Sequence, residues 1–282
     1  MNWLLIIGAL TFWLAAWALN AWLANRFSKT RWVGVLAPVL FGIAVLVLWE
    51  GLVRGFGVPP VILPPPSMIW ARIVTSVDVL LSDLYQTFFV SSLRGYLIGC
   101  GAGFLTAVAI HRSDFWLRGV TPVGAFMAAL PIIGTAPIMV QLFGFTWHSK
   151  AAVVVLMCFF PMLVNTAEGL KASDAMQRDL MHTYAAGYRH RLFKLTLPSA
   201  APFIFNGLKV CTTLALIGAI IAEFFGTPLG GMGFRISTEA GRFNFDMVWA
   251  EITFAALAGS LFYGIISLIE RAVTFWHPSM RR

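Results

Sequence analysis

The sequence predicts an all-α integral membrane protein. Of its 282 residues, 59% are hydrophobic and only 11% are charged, and the mean hydropathy is +0.81. Soluble domains typically carry about a quarter charged residues. The apolar residues also fall into stretches close to the roughly 20 residues that a helix needs to cross a bilayer. This composition excludes a soluble protein, and no polar stretch is long enough to form a second, soluble domain.

The apolar pattern predicts about seven transmembrane helices. The first, about residues 3–23, lacks the basic start of a signal peptide, has a long apolar run and is followed by basic residues. We therefore interpret it as a true span. The other spans are predicted at about 33–53, 87–110, 117–144, 150–170, 199–225 and 247–270.

The loop between the second and third spans carries a predicted interfacial helix. Its stretch "VPPVILPPPSMIWARI" is rich in prolines, which fix φ and favour an extended start. Ser67 stands where it can cap a helix, and apolar residues such as Ile69 and Ile73 follow at helical spacing. We expect this helix to lie on the outer face of the bilayer, with Glu50 reaching the outer headgroups.

Lysine and arginine residues are concentrated in alternate loops. Most of the 20 lie around residues 24–32, 111–118 and 171–198 and at the C-terminal end. The positive-inside rule places these loops in the cytoplasm, with the N-terminus outside and the C-terminus inside. The net charge of +8 thus indicates topology signals and contacts with lipid headgroups, and no nucleic-acid partner is expected.

All three cysteines, Cys100, Cys158 and Cys211, fall inside apolar spans. Their spacing matches neither a disulfide framework nor a metal-binding motif. We interpret them as small apolar residues, and no metal site is expected.

The largest cytoplasmic loop, residues 171–198, is predicted to hold an amphipathic helical segment. Apolar residues recur every four positions at Met176, Leu180 and Tyr184, which is helical spacing. Asp174 stands where an N-cap acid belongs.

The same loop ends in the basic stretch "RHRLFKLTLP". Gly187 interrupts the helical pattern just before it, so we expect two short helices with a bend. Pro198 suits the first turn of the next span. The pattern alone leaves two interpretations open: a helix lying on lipid headgroups, or a helix that docks into a groove of a cytosolic partner.

The loop resembles the cytoplasmic EAA loop of type I permeases of bacterial ABC importers, which has the pattern E-A-A-x3-G-x9-I-x-L-P. Leu197 and Pro198 match the closing residues, and Ala185 stands at the position of the glycine. The E-A-A triplet falls on Asp179, Leu180 and Met181.

The flanking sequence resembles the nitrate/sulfonate/taurine-type permeases, a group that also includes permeases for thiamine-precursor pyrimidines. The first span is an addition to the usual six of this family. We therefore divide the chain into an extra helix with its loop, 1–32, and a permease domain, 33–282. Ordered matches are "VILPPPS" (61–67), "SSLRGYLIG" (91–99), "ALPIIGTAPIMVQLFG" (129–144), "FFPMLVNTAEGL" (159–170), "LPSAAPFIFNGLKV" (197–210), "AEFFG" (222–226), "GGMGF" (230–234) and "IERAVTFW" (269–276).

The resemblance implies a type I ABC importer permease in a bacterial inner membrane, not an enzyme. Its expected partners are two cytoplasmic ATPase subunits that bind ATP and Mg, a second permease copy and an extracytoplasmic solute-binding protein. No cofactor is expected on this chain, which has no G-x4-G-K-[ST] phosphate loop. "TPLGGMGFR" lacks the lysine and is expected to form an outer turn. The expected coupling surface comprises Asp174, Met176, Asp179, Leu180, Met181, Tyr184, Ala185, Gly187, Arg189, Arg191, Leu197 and Pro198.

Polar residues and prolines within spans are candidates for the pathway, because ionisable groups in a membrane are costly. Anchoring at the interface, helix-end contacts and bridges between helices remain open alternatives for the polar residues. Two prolines are expected to bend the fourth span. The candidates are Arg94, Pro131, Pro137, Gln141, Asn165, Lys209 and Glu223.

Gly95, Gly99 and Gly103 recur every four residues in the third span. This small-xxx-small stripe predicts close packing against another helix.

The cargo stays open between a sulfonate, taurine or nitrate-like anion and a pyrimidine-type vitamin precursor. Two other classes are weighed against the permease: a secondary carrier, which needs no ATP and no partner, and a polytopic membrane enzyme. The histidines form no H-E-x-x-H motif, and no paired-acid motif is present.

Overall fold

The computed structural model describes residues 2–27, 32–128, 131–225 and 230–276, and every regular element in these ranges is a helix. Six of the described helices are long and apolar enough to cross a membrane, which confirms the all-α membrane class. They are α1 (Trp3–Arg26), α2 (Val33–Phe56), α4 (Val77–Ile110), α7 (Trp147–Lys171), α9 (Tyr188–Phe224) and α11 (Phe245–Val273). The shorter helices are α3 (Pro66–Thr75), α5 (Asp114–Ala128), α6 (Ile132–Phe143), α8 (Ala175–Thr183) and α10 (Met232–Gly241).

The predicted span at 117–144 is wrong as a single helix. Helix α5 ends at Ala128 and α6 begins at Ile132, after Pro131 with an extended backbone at φ −69° and ψ 110°. A proline at this point has no N–H to continue the ladder and is suited to a helix start. The described residues therefore contain six long spans rather than seven, with α6 as a shorter apolar helix.

Helices α4 and α9 begin about ten residues earlier than their predicted spans, and each contains a π-helical segment. In α9 this segment is Leu192–Thr196, where the Thr196 hydroxyl donates to the carbonyl of Arg191 at 3.3 Å. A proline ring clashes with the carbonyl four residues before it, and a widened turn relieves such a clash. Pro198 thus lies in the first turn of the regular α-helical part, as predicted, but helical turns already begin at Tyr188.

Contacts within the chain define two compact units, the first comprising Met1–Leu80 and Thr238–Glu251. In this unit α1 packs along α2, and the backbone N–H of Asn2 donates to the carbonyl of Gly55 at 2.7 Å. Arg72 of α3 forms an ion pair with Asp246 at 2.7 Å. Helix α1 is therefore held by the helix that follows it.

The start of α3 differs from the prediction that Ser67 caps it. The carboxylate of Glu50 in α2 accepts hydrogen bonds from the backbone N–H of Ser67 at 2.9 Å and from its hydroxyl at 2.7 Å. Arg54 pairs with the same carboxylate. A carboxylate is favourable at the positive end of a helix, so Glu50 of the neighbouring helix α2 caps α3.

The second unit comprises Leu81–Ser237 and Ile252–Arg282, and α7 lies at its centre. Helix α4 packs against α7, and α9 packs against it as well. Their shared core is formed by small and apolar side chains: Tyr96, Cys100, Val154, Cys158, Met162, Cys211, Ala215, Ala219 and Phe262.

The glycine stripe of α4 lies against the backbone of α7. A Cβ at Gly95 would lie 2.9 Å from the carbonyl oxygen of Ala151, and one at Gly103 would lie 2.5 Å from that of Phe159. Gly99 is similarly close to Val155. In lipid, helices associate through close packing of this kind, because burial of apolar surface gives no advantage over the acyl chains.

Substituting Gly103 with alanine is expected to destabilise the protein by about 1–3 kcal/mol, because the new methyl group overlaps the α7 backbone. Thermal unfolding in nanodiscs, followed by tryptophan fluorescence, measures the change. Gly101→Ala is the matched control on the same helix, since no atom lies within 4 Å of its Cβ. Equal melting temperatures for the two variants would contradict this packing.

Candidate functional site

Helix α8 begins at the predicted acid. Asp174 has an extended backbone, and its carboxylate accepts a hydrogen bond from the backbone N–H of Met176 at 3.4 Å. An N-cap acid satisfies one of the free N–H groups in the first turn. Helix α8 is one of the two short helices that the sequence predicted. The second, Tyr188–Arg191, is not separate, because it continues without a break into the rest of α9.

The apolar residues of α8 are exposed. Met176 has 77% of its surface accessible, Leu180 has 56% and Tyr184, at its C-terminal end, has 75%. They follow at four-residue spacing and share one face of the helix. None of the nine residues of α8 is buried, so this helix leaves its apolar face free for another surface.

The turn after α8 contains a left-handed residue. Ala185 has φ +48°, whereas Gly187 has an ordinary extended φ of −64°. Alanine rarely adopts a positive φ, which costs a residue with a Cβ about 1–2 kcal/mol. Ala185 is the position at which the EAA pattern has glycine, so the backbone keeps the conformation that a glycine would favour.

The basic residues of this loop divide into two groups. Arg189 and Lys194 are exposed and lie outside the cavity of about 360 Å³ that Lys171, Arg178 and Arg191 line. Arg178 is held there by a hydrogen bond to the carbonyl of Ser173 at 2.7 Å. The remaining expected coupling residues are Asp179, which is exposed, and Met181, Leu197 and Pro198, which are partly buried.

The opposite end of α9 carries a buried ion pair. Glu223 is fully buried and its carboxylate lies 3.7 Å from the Lys150 ammonium of α7, which is 1% exposed. The same carboxylate accepts hydrogen bonds from the Thr87 hydroxyl at 2.8 Å and from the backbone N–H of Gly233 at 2.9 Å. Glu223 thus joins α4, α7 and α9 to the start of α10.

The glycine turn before α10 is held by a second acid. Asp83 accepts hydrogen bonds from the backbone N–H of Gly231 at 2.9 Å and from Arg235 at 2.7 Å. Gly231 has φ +117°, and a Cβ there would overlap the Glu223 carboxylate. Only glycine fits this turn, which binds protein carboxylates rather than a phosphate; the preceding residues 227–229 lie outside the described part.

Lys150 is a residue that the sequence analysis missed. It is the first residue of the span predicted at 150–170, where a cation is expected at the membrane surface, but α7 already begins at Trp147 and the side chain is buried. Its partner lies 73 positions later in the chain, so no local periodicity indicates the pair. The only sign in the sequence that Lys150 is buried was its position directly beside a long apolar stretch.

Two other cationic candidates have partners as well. Lys209 of α9 pairs with Glu270 of α11 at 2.8 Å, and both side chains are mostly buried. The Arg94 guanidinium lies 4.8 Å from the ring centre of Trp147 and is exposed. Lys209 therefore bridges two helices, and Arg94 stacks on an aromatic ring.

The remaining candidates are divided between bridging and exposed positions. Asn165 accepts a hydrogen bond from Asn206 at 2.9 Å and donates to the carbonyl of Pro161 at 2.8 Å, so it bridges α7 and α9. Gln141, Pro131 and Pro137 are exposed on or beside α6.

An apolar cavity of about 170 Å³ lies beside α6 in the second unit. Its lining comes from α5, α6, α7 and α9 and is almost wholly apolar. The lining residues are Met127, Ile132, Thr135, Val153, Leu156, Met157, Phe160, Pro161 and Leu214.

Residues 96–276 match the family described as "Binding-protein-dependent transport system inner membrane component". The chain is 32% identical to the formylaminopyrimidine transport permease protein ThiX of Halalkalibacterium halodurans, over 86% of this chain and 96% of that protein. It is 26% identical to the putative aliphatic sulfonates transport permease protein SsuC of Bacillus subtilis, over 92% and 94%. It is 23% identical to the taurine transport system permease protein TauC of Escherichia coli, over 93% and 98%.

Replacing Ala185 with glycine is expected to stabilise the protein by about 1 kcal/mol, because it removes the strain of a Cβ at positive φ. Differential scanning of the melting transition in nanodiscs measures the gain. Ala186→Gly, at the neighbouring position without a positive φ, should give no gain. A loss of stability in Ala185→Gly would show that the turn does not carry this strain.

Removing one member of the buried pair, as in Lys150→Met, is expected to cost about 3–5 kcal/mol, because it leaves the Glu223 carboxylate buried without its cation. The double variant Lys150→Met/Glu223→Gln should recover part of this loss. Unfolding of the four proteins of this double-mutant cycle gives the coupling energy.

The exposed pair of Lys171 and Glu168 supplies the control. Lys171→Met should cost at most about 1 kcal/mol, since solvent screens that pair. A Lys150→Met variant as stable as Lys171→Met would contradict the importance of the buried pair.

Proposed function

The chain belongs to the family of binding-protein-dependent transport system inner membrane components, and we propose that it imports a pyrimidine-type vitamin precursor by coupling to cytoplasmic ATPase subunits. The relatives named above are transport permeases for different small solutes. The chain is likewise a multi-pass membrane permease of a binding-protein-dependent importer. The cargo, the individual partners and the coupling mechanism are the proposed part.

The exposed apolar face of α8 carries the proposal of coupling. Met176, Leu180 and Tyr184 stand free on one side of a short helix that is fixed at its start by Asp174. An amphipathic helix of this kind fits a hydrophobic groove in a partner protein. The groove belongs to a subunit that binds ATP and Mg, and hydrolysis takes place there rather than on this chain. Exposed Arg189 and Lys194 contact the rim, where ion pairs contribute about 0–1 kcal/mol each.

The proposed assembly has two copies of this chain, two ATPase subunits and a solute-binding protein. The loops rich in Lys and Arg support an orientation with α8 in the cytoplasm and the N-terminus outside. The turn held by Asp83 and Glu223 is then on the outer side, where the binding protein delivers its cargo. The bacterial inner membrane is the location that fits this arrangement.

A cargo without a full negative charge is supported by the pairing of both buried lysines with acids. Lys150 pairs with Glu223 and Lys209 pairs with Glu270, so neither supplies an uncompensated charge that attracts an anion. The cavity beside α6 is apolar. The most similar of the relatives named above is a formylaminopyrimidine permease. A sulfonate such as taurine is the alternative cargo, supported by the more distant relatives.

Leu180→Asp is expected to reduce copurification of the ATPase subunit at least tenfold, because it puts a charge into the docking face of α8. The chain is purified with a tag from its native host, and the ATPase is quantified in the eluate. His182→Asp is the matched control, since His182 is exposed on the opposite side of the same helix.

The same variants test the cargo. Cells that lack the native copy should regain uptake of labelled formylaminopyrimidine with the unmodified chain and with His182→Asp, but not with Leu180→Asp. If the unmodified chain restores uptake of taurine but not of formylaminopyrimidine, the cargo is a sulfonate and not a pyrimidine. Uptake that persists in Leu180→Asp without any copurified ATPase would identify a secondary carrier instead.

A further inference from the structure

The three cysteines of the chain meet at one point. Cys100 lies on α4, Cys158 on α7 and Cys211 on α9, and their sulfur atoms all lie within 4.8 Å of one another. All three residues are buried, with at most 4% of their surface exposed. The chain has no other cysteine, so every thiol that it possesses belongs to this cluster, which the spacing in the sequence did not reveal.

The hydrogen bonds within the cluster are too weak to prevent the sulfur atoms from binding a ligand. The Cys158 thiol donates to the carbonyl of Cys211 at 3.6 Å, and the Cys211 thiol donates to the carbonyl of Cys158 at 3.4 Å. Hydrogen bonds of thiols are weak. The residues around the cluster are apolar, so the three thiols have no charged side chain beside them in the described core.

We propose that Cys100, Cys158 and Cys211 form a binding site for a neutral hydroxide of a trivalent metalloid, with arsenous acid as the representative ligand. Soft thiolate ligands select thiophilic centres. Thiolates bind Zn²⁺ at about 2.3 Å, so three sulfurs around one centre of this size lie about 4 Å apart or less. The sulfur atoms of the cluster already lie within 4.8 Å of one another, and binding would draw them closer by rotation of the cysteine side chains.

Charge balance selects a trivalent centre. Three thiolates around a monovalent or divalent ion leave a net negative charge, which is costly in the apolar interior of a membrane protein. Three thiolates around a trivalent centre are neutral. Arsenous acid is itself neutral and small, and the apolar cavity lined by Met157 and Leu214 lies along the same helices as Cys158 and Cys211.

The reaction balances without an oxidant. Each thiol gives its proton to one hydroxyl group of As(OH)₃, which leaves as water while an As–S bond replaces the As–O bond. Three such exchanges give As(SR)₃ and three water molecules, and arsenic stays trivalent throughout. The product links α4, α7 and α9 covalently. Binding of arsenic should therefore also prevent movement of these three helices relative to one another.

The test is to incubate the full chain in nanodiscs with sodium arsenite at neutral pH, remove the excess and measure bound arsenic by elemental and intact-mass spectrometry. One arsenic atom per chain is expected, and all three thiols should resist alkylation by N-ethylmaleimide after denaturation. A dithiol chelator should release the arsenic and restore alkylation.

Cys158→Ala and Cys211→Ala are each expected to retain at least tenfold less arsenic, and Ser92→Ala, a buried control on α4, should retain as much as the unmodified chain. Melting curves identify any variant that fails to fold, and Cys100→Ala then serves as the third test. No retained arsenic in the unmodified chain, or equal retention in the cysteine variants, would overturn the proposal. The readout is binding, so it is independent of the transported cargo.

Discussion

Helix α7 is packed on both sides by backbone contacts that leave no room for larger residues. The glycines of α4 allow its backbone to approach α7, and Gly169 and Gly207 do the same between α7 and α9. Lipid offers no hydrophobic driving force for such contacts, so their close fit must supply the stability. The three-helix core positions the buried ion pair at one end and α8 at the other.

The buried carboxylates fix the glycine turn at one end of this core. Glu223 and Asp83 accept backbone N–H groups from the glycine turn, and Lys150 compensates one of the two charges. Buried acids at the start of a helix satisfy donors that have no partner within the helix. The turn that faces a binding protein in the proposed assembly is thus fixed by side chains from three spans, not by its own short sequence.

The sequence predicted those features that depend on local pattern. Apolar length located the six long spans, and four-residue spacing located α8. Pro131 was expected only to bend one span, whereas α5 and α6 are separate helices. The missed features depend on contacts between distant segments: Lys150 finds Glu223, and Glu50 takes the capping role expected of Ser67. Periodicity carries no information on such pairs, since either partner alone resembles an ordinary charge at a helix end.

The continuity of α9 has a mechanical consequence. Its 37 residues run from Tyr188 to Phe224 without a loop, which corresponds to about 55 Å at 1.5 Å per residue. This is longer than the roughly 30 Å hydrocarbon core of a bilayer. In the proposed assembly, a displacement of α9 near Arg191 would reach Glu223 at its other end, because one continuous helix joins the two residues. The π-helical segment Leu192–Thr196 interrupts the regular hydrogen-bond ladder of this helix, so it is the place where such a displacement would bend α9.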